Sequence, residues 1–134
     1  METKKNAKRT VLVVDDDIDL LTQLRMQFET IGYTVITAEG EREAEKVLET
    51  TKPDVAILDL MMENMDAGFT LSYHIKKKYP EVPVIIMTGV TRETGLEFDI
   101  TSSEERSWVK ADAILDKPIR FEQLLREIER LVRN

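Results

Sequence analysis

The sequence contains no cysteine. That excludes a disulfide framework, a thiolate nucleophile and any cysteine metal site, and makes a reducing cytoplasm the default expectation. Long apolar runs are missing as well. The longest are a few residues, too short to cross a bilayer. The basic start, with Lys4, Lys5, Lys8 and Arg9, lacks the apolar stretch of a secretory signal. Glycine and proline are scarce, at five and four in 134 residues, while 42% of the chain is hydrophobic. Such a composition belongs to a compact globular chain rather than a disordered one. Positive charge is in the minority, with 19 Lys and Arg against 26 acids and a net charge of -7. Without residues 1–9 the balance is 25 acids to 15 bases, or -10. A surface of that sign repels nucleic-acid phosphates and anionic membrane, so neither is expected as a direct partner.

What is present is an alternation of short apolar runs and amphipathic stretches. Residues 1–9 read as a flexible basic arm and 10–133 as one domain. Val11-Leu12-Val13-Val14 is a β-branched run of the kind buried on both faces of a sheet. Leu20, Leu21, Leu24, Phe28 and Ile31 follow at helical spacing, stopped by Gly32. Tyr33 to Thr37 reads as a second strand, and Ala44, Val47 and Leu48 mark a charged helix over 41–50. Val55 to Leu58 is a third strand ended by Asp59. Leu71, Ile75 and Tyr79 trace a helix closed by Pro80, and Val82 to Met87 a fourth strand ended by Thr88-Gly89. Within 90–111, Ser102 and Glu105 have capping-box spacing and predict a short helix over 103–110 that includes Trp108. Ala113 to Leu115 is a fifth strand, and Phe121, Leu124, Leu125, Ile128, Leu131 and Val132 give the cleanest amphipathic helix. Five buried-type strands alternating with five helices predict an α/β fold, a doubly wound parallel sheet with helices on both faces. Right-handed crossovers leave only a few strand orders.

Polar residues fall where the strands end: Asp15 and Asp16, Asp59, Thr88, then Lys117. In an open parallel sheet these carboxyl ends share one edge, where ligands bind. Three gathered carboxylates repel one another and raise one another's pKa unless a cation joins them. A hard divalent ion such as Mg²⁺ answers that need and readily shares its shell with phosphate. Asp59 is then placed to attack phosphorus and form an acyl phosphate. Lys117 and the Thr88 hydroxyl would pair with the phosphoryl oxygens, since phosphoryl transfer depends on positioning and neutralised charge.

Four motifs carry a resemblance: Val11-Leu12-Val13-Val14-Asp15-Asp16-Asp17, Ile57-Leu58-Asp59-Leu60-Met61-Met62, Val82-Pro83-Val84-Ile85-Ile86-Met87-Thr88 and Leu115-Asp116-Lys117-Pro118-Ile119. Together, over about residues 10–133, the chain resembles the CheY-like receiver domains of two-component response regulators. The resemblance implies a flavodoxin-like five-stranded sheet in the order 2-1-3-4-5. It implies Asp59 as phosphoacceptor from a sensor histidine kinase or phosphotransfer protein. It further implies Mg²⁺ held by Asp15, Asp16, Asp59 and the Met61 backbone carbonyl, with Thr88 and Lys117 reading the phosphoryl group. Lys117-Pro118 would be a cis peptide. No external substrate is turned over on this reading; the domain catalyses only its own phosphorylation and dephosphorylation. Because the chain ends just past its last helix, the expectation is a stand-alone receiver acting through a downstream protein target or a phosphate relay.

The sequence also departs from the family. Glu63 stands where receivers usually have proline, and Met65-Asp66-Ala67-Gly68 is one residue longer than the usual Met-Asp-Gly. Ile114 replaces the common aromatic residue three before the lysine. The segment from Thr88 to Lys117 is longer than usual, which predicts a remodelled fourth helix. These departures motivate one rival, a phosphorylation-independent interaction module. A second rival is a Mg²⁺-dependent phosphohydrolase, against which Met61 occupies the place of the second aspartate that dehalogenase-type phosphatases require. Other polar residues have plainer readings: Asp17 as helix cap, Glu41, Glu43 and Glu45 as a solvated helix face, and His74 as a surface or partly buried histidine. Lys76-Lys77-Lys78 suits a helix C-terminus, where cations are favourable.

Overall fold

The computed structural model describes residues 9–60, 67–89 and 111–132. Within them the chain runs β1 (Thr10–Val14), α1 (Ile18–Thr30), β2 (Thr34–Ala38), α2 (Glu41–Thr50), β3 (Val55–Asp59), α3 (Ala67–Lys78), β4 (Val84–Thr88), β5 (Ala113–Asp116) and α4 (Phe121–Val132). The strands form one sheet in the order β2-β1-β3-β4-β5, every pair parallel. This is the flavodoxin-like order expected. The helix expected over 103–110, with Trp108, lies outside the described residues. No helix among the described residues is long and apolar enough to cross a membrane.

The apolar runs form the centre of the sheet because both of their faces are covered. Every residue of β3 and β4 is buried, as is all of β1 after Thr10. Alternate residues point to opposite sides. Leu12, Val14, Ala56, Leu58, Val84 and Ile86 meet Ala44 and Leu48 of α2 and Leu71 and Ile75 of α3. Val11, Val13, Val55, Ile57, Ile85 and Met87 meet Leu21, Leu24 and Phe28 of α1 and Leu124 and Ile128 of α4. Among the described residues, two helices therefore cover each face. Burying one such aliphatic or aromatic side chain contributes about 1.5–3 kcal/mol, so the two layers supply most of the drive to fold.

Boundary expectations shift for local reasons. Tyr33 belongs to the turn rather than to β2: its N–H donates to the Phe28 carbonyl at 3.1 Å, and its ring lies 5.2 Å from that of Phe28. Gly32, at φ 99°, makes that reversal, a backbone region glycine enters without a Cβ clash. Ile31, expected on the apolar face of α1, is the residue after the helix and is exposed. Val82 precedes β4, its N–H donating to the Tyr79 carbonyl at 3.0 Å in a turn. Tyr79 itself lies past the end of α3, and its hydroxyl donates to the Leu48 carbonyl at 2.9 Å, fastening α3 to α2.

Candidate functional site

The carboxyl edge of the sheet gathers the residues that close the strands. Asp15 follows β1, Asp59 ends β3, Thr88 ends β4 and Lys117 follows β5. The ladder fixes their relative height. Asp59 is level with Met87, Thr88 with Asp116, and the Lys117 N–H donates to the Thr88 carbonyl at 2.8 Å. Asp15 is held by its own N–H, which donates to the Ala38 carbonyl at 3.1 Å. Lys117-Pro118 is cis.

The side chains converge around one ammonium. Lys117 Nζ lies 3.0 Å from Asp15 Oδ2 and 3.0 Å from Asp59 Oδ1. The second Asp15 oxygen accepts from the Asp17 N–H at 2.9 Å, so this carboxylate is held at both ends. Asp17 caps α1 as expected, its Oδ1 accepting from the N–H groups of Asp19 and Leu20. Asp15, Asp59 and Thr88 are buried, while Asp16 faces solvent. One oxygen from each of Asp15, Asp16 and Asp59 lies within 4.8 Å of the others. The Met61 carbonyl and Glu63 lie outside the described residues.

The electrostatics follow from this crowding. Burial, and then the charge of Asp15, raise the Asp59 pKa from 3.8 to about 6. The hydrogen bond and charge of Lys117 oppose that rise, and Asp16 adds to it. For Lys117, burial disfavours the ammonium, but hydrogen bonds to Asp15 and Asp59 together with their charges outweigh it and raise its pKa. Of the three carboxylates, Lys117 contacts Asp15 and Asp59. Their all-oxygen donor set and uncompensated negative charge fit a small hard divalent ion better than a softer metal.

Gly68 is a site residue whose role the motifs do not disclose. A Cβ on it would stand 2.5 Å from the Asp59 carbonyl oxygen and 2.7 Å from Leu60 Cα. Its N–H donates to the Leu60 carbonyl at 2.9 Å. The first turn of α3 thus rests on the backbone that presents Asp59, a contact open only to glycine. Gly68→Ala is expected to destabilise the fold by about 1–3 kcal/mol, the usual cost of overpacking. It would also slow any reaction at Asp59; urea denaturation and the labelling rate measure the two effects. The extra residue noted around Met65-Asp66-Ala67-Gly68 leaves this glycine at the start of α3.

With this geometry in place, comparison with known proteins gives the class. A family model for the response regulator receiver domain matches residues 11–129. The chain belongs to that family: it is a receiver domain of the two-component response regulators. It is 31% identical, over 94% of its length and 49% of the relative's, to the probable transcriptional regulator ycf27 of Cyanophora paradoxa. It is 45% identical to the transcriptional regulatory protein GlrR of Escherichia coli over 59% of this chain and 18% of that protein. The chain spans about half or less of the curated relatives it matches. Among solved structures, the response regulator TrrA of Thermotoga maritima in complex with Mg(2+)-BeF is 28% identical with a TM-score of 0.73, covering 92% of this chain and 98% of that one. Receiver domains are signalling modules rather than enzymes acting on an external substrate.

Proposed function

We propose that this receiver is switched by reversible phosphorylation of Asp59, with phosphohistidine of a sensor kinase or phosphotransfer protein as donor. The observation that carries the reading is the single ammonium of Lys117 spanning Asp15 and Asp59, in a cluster where Asp16 completes a three-carboxylate set. Asp15, Asp16 and Asp59, with the Met61 carbonyl, would hold Mg²⁺, which when bound supplies neutralising charge for the phosphoryl oxygens.

The chain's own residues do the rest. With a pKa of about 6, Asp59 is mostly ionised at neutral pH and available as a nucleophile. One of its oxygens forms a bond to phosphorus as the phosphorus–nitrogen bond of phosphohistidine breaks, and the electron pair leaves on the imidazole. Lys117 Nζ keeps Asp15 as its anchor and passes from Asp59 to a phosphoryl oxygen, while the Thr88 hydroxyl donates to another. Hydrolysis by water at the same phosphorus restores the carboxylate, so dephosphorylation uses the same site.

On this reading the protein works in the cytoplasm. Its acid-rich surface directs output to a downstream protein rather than to nucleic acid contacted by the receiver itself. The curated relatives named above are transcriptional regulators, and the proposal concerns only the domain they share with this chain. The purified chain is expected to gain one phosphoryl group from acetyl phosphate in the presence of Mg²⁺. Chelation or Asp59→Asn should abolish the gain. A phosphorylation-independent interaction module would show no labelling of the wild-type chain, and a phosphohydrolase would turn over a panel of phosphoesters.

A further inference from the structure

A second group of metal-ligating side chains lies between α2 and α3. Glu41 and Glu45 are one turn apart on α2, on the same flank of the helix. His74, the chain's single histidine, comes from α3. Its Nδ1 lies 2.6 Å from Glu45 Oε2. One carboxylate oxygen from each glutamate and one ring nitrogen of His74 all lie within 4.8 Å of one another.

These donors stand on rigid elements. Ala44 and Leu48 beneath α2 pack in the same apolar cluster as Leu71 and Ile75 beneath α3. The Tyr79 hydroxyl adds its bond to the Leu48 carbonyl. The backbone spacing of the three donors is therefore set by the core rather than by the side chains alone, which is what a preorganised site requires. Two carboxylates at this spacing repel each other, and a neutral imidazole beside them offsets none of that charge. A metal ion bound between the two glutamates would relieve that repulsion and would take the ring nitrogen of His74 as a third ligand. The donor types select among metals. Imidazole nitrogen with two carboxylate oxygens suits zinc, cobalt or nickel, whereas magnesium favours an all-oxygen set such as the aspartate cluster.

We propose that Glu41, Glu45 and His74 form a surface site for a first-row divalent transition cation such as Zn²⁺, with water completing its coordination. The proposal is independent of phosphorylation at Asp59. An ion held there joins α2 to α3.

Titration calorimetry of the whole chain with zinc chloride, in excess Mg²⁺ to occupy the aspartate cluster, tests it. The expected result is one zinc ion per chain and a rise in melting temperature with zinc, as binding to the folded state requires. His74→Ala and Glu45→Gln should each weaken binding by about tenfold or more, equivalent to about 1.4 kcal/mol. Both side chains are nearly half exposed, at 47% and 43%, so the variants should keep the wild-type far-ultraviolet circular dichroism. Asp16→Asn should leave zinc affinity unchanged. Absence of saturable binding would overturn the proposal and leave the hydrogen bond between His74 and Glu45 as the explanation. Wild-type affinity in both α2–α3 variants, or loss of binding in Asp16→Asn, would also overturn it by placing the ion elsewhere.

Discussion

Replacing Lys117 with methionine should destabilise the metal-free protein by about 3–5 kcal/mol near pH 8, the cost of leaving a buried carboxylate without its cation. Asp15 and Asp59 both contact the Lys117 ammonium at 3.0 Å, and both are buried. Methionine keeps the length of the apolar stem and removes the ammonium, so the loss reports mainly electrostatics rather than a cavity. The effect has a pH signature. Lys117 lowers the Asp59 pKa, so in the variant that pKa lies above the wild-type value of about 6, and the destabilisation should shrink as pH falls towards 6 and Asp59 takes up a proton. On the alkaline side, the Lys117 pKa is raised above 10.5 in the folded chain. Its stabilisation is therefore fully present below that value and disappears as pH climbs through the raised one. Urea denaturation of wild type and variant across this range measures both limbs. Combining Lys117→Met with Asp59→Asn should cost less than the two single changes added together, because the second removes one of the charges the first leaves unpaired.

Asp59→Asn should act in the opposite direction. The folded pKa of Asp59, about 6, lies above its ordinary value of 3.8. Between those values the folded state holds more protons than the unfolded one, so stability is greatest below 3.8 and falls as pH rises through 6. A shift of about two units corresponds to about 3 kcal/mol lost near pH 8. Asparagine keeps the shape and an acceptor oxygen without the charge. It should therefore stabilise the metal-free chain by up to about 3 kcal/mol near pH 8 and give almost no gain near pH 4. Mg²⁺ should narrow the difference at pH 8 by stabilising wild type more than the variant. A variant less stable than wild type at both pH values would contradict this account of the cluster.

These effects also mark the limit of what the sequence discloses. The strands β1, β3 and β4 are legible as continuous apolar runs because they are buried on both faces, and α4 because one face alone is apolar. The aspartates, Thr88 and Lys117 are legible because each stands where a run stops. Tyr33 is misplaced by pattern alone, since its alternation continues into β2 while its N–H is already committed to the turn at Phe28. Lys117 is read as a partner for phosphate, but its contacts with Asp15 and Asp59 bridge 102 residues for Asp15 alone, a relation no local pattern carries. Gly68 is legible only as the glycine that closes Met65-Asp66-Ala67-Gly68; why it must be glycine shows when α3 is laid against the carbonyl of Asp59. Glu45 reads as part of a solvated face and His74 as a surface or partly buried histidine because each helix is seen singly, whereas the shared core brings them to 2.6 Å.

The most direct measurement of the central claim is the position of the phosphoryl group. Wild-type chain treated with acetyl phosphate and Mg²⁺ can be reduced with borohydride, which converts an aspartyl phosphate to homoserine, and then sequenced by mass spectrometry. The account predicts homoserine at position 59 and at no other aspartate. Reduction at Asp15 or Asp16, or phosphate retained on a hydroxyl or on His74 with Asp59 unmodified, would contradict it.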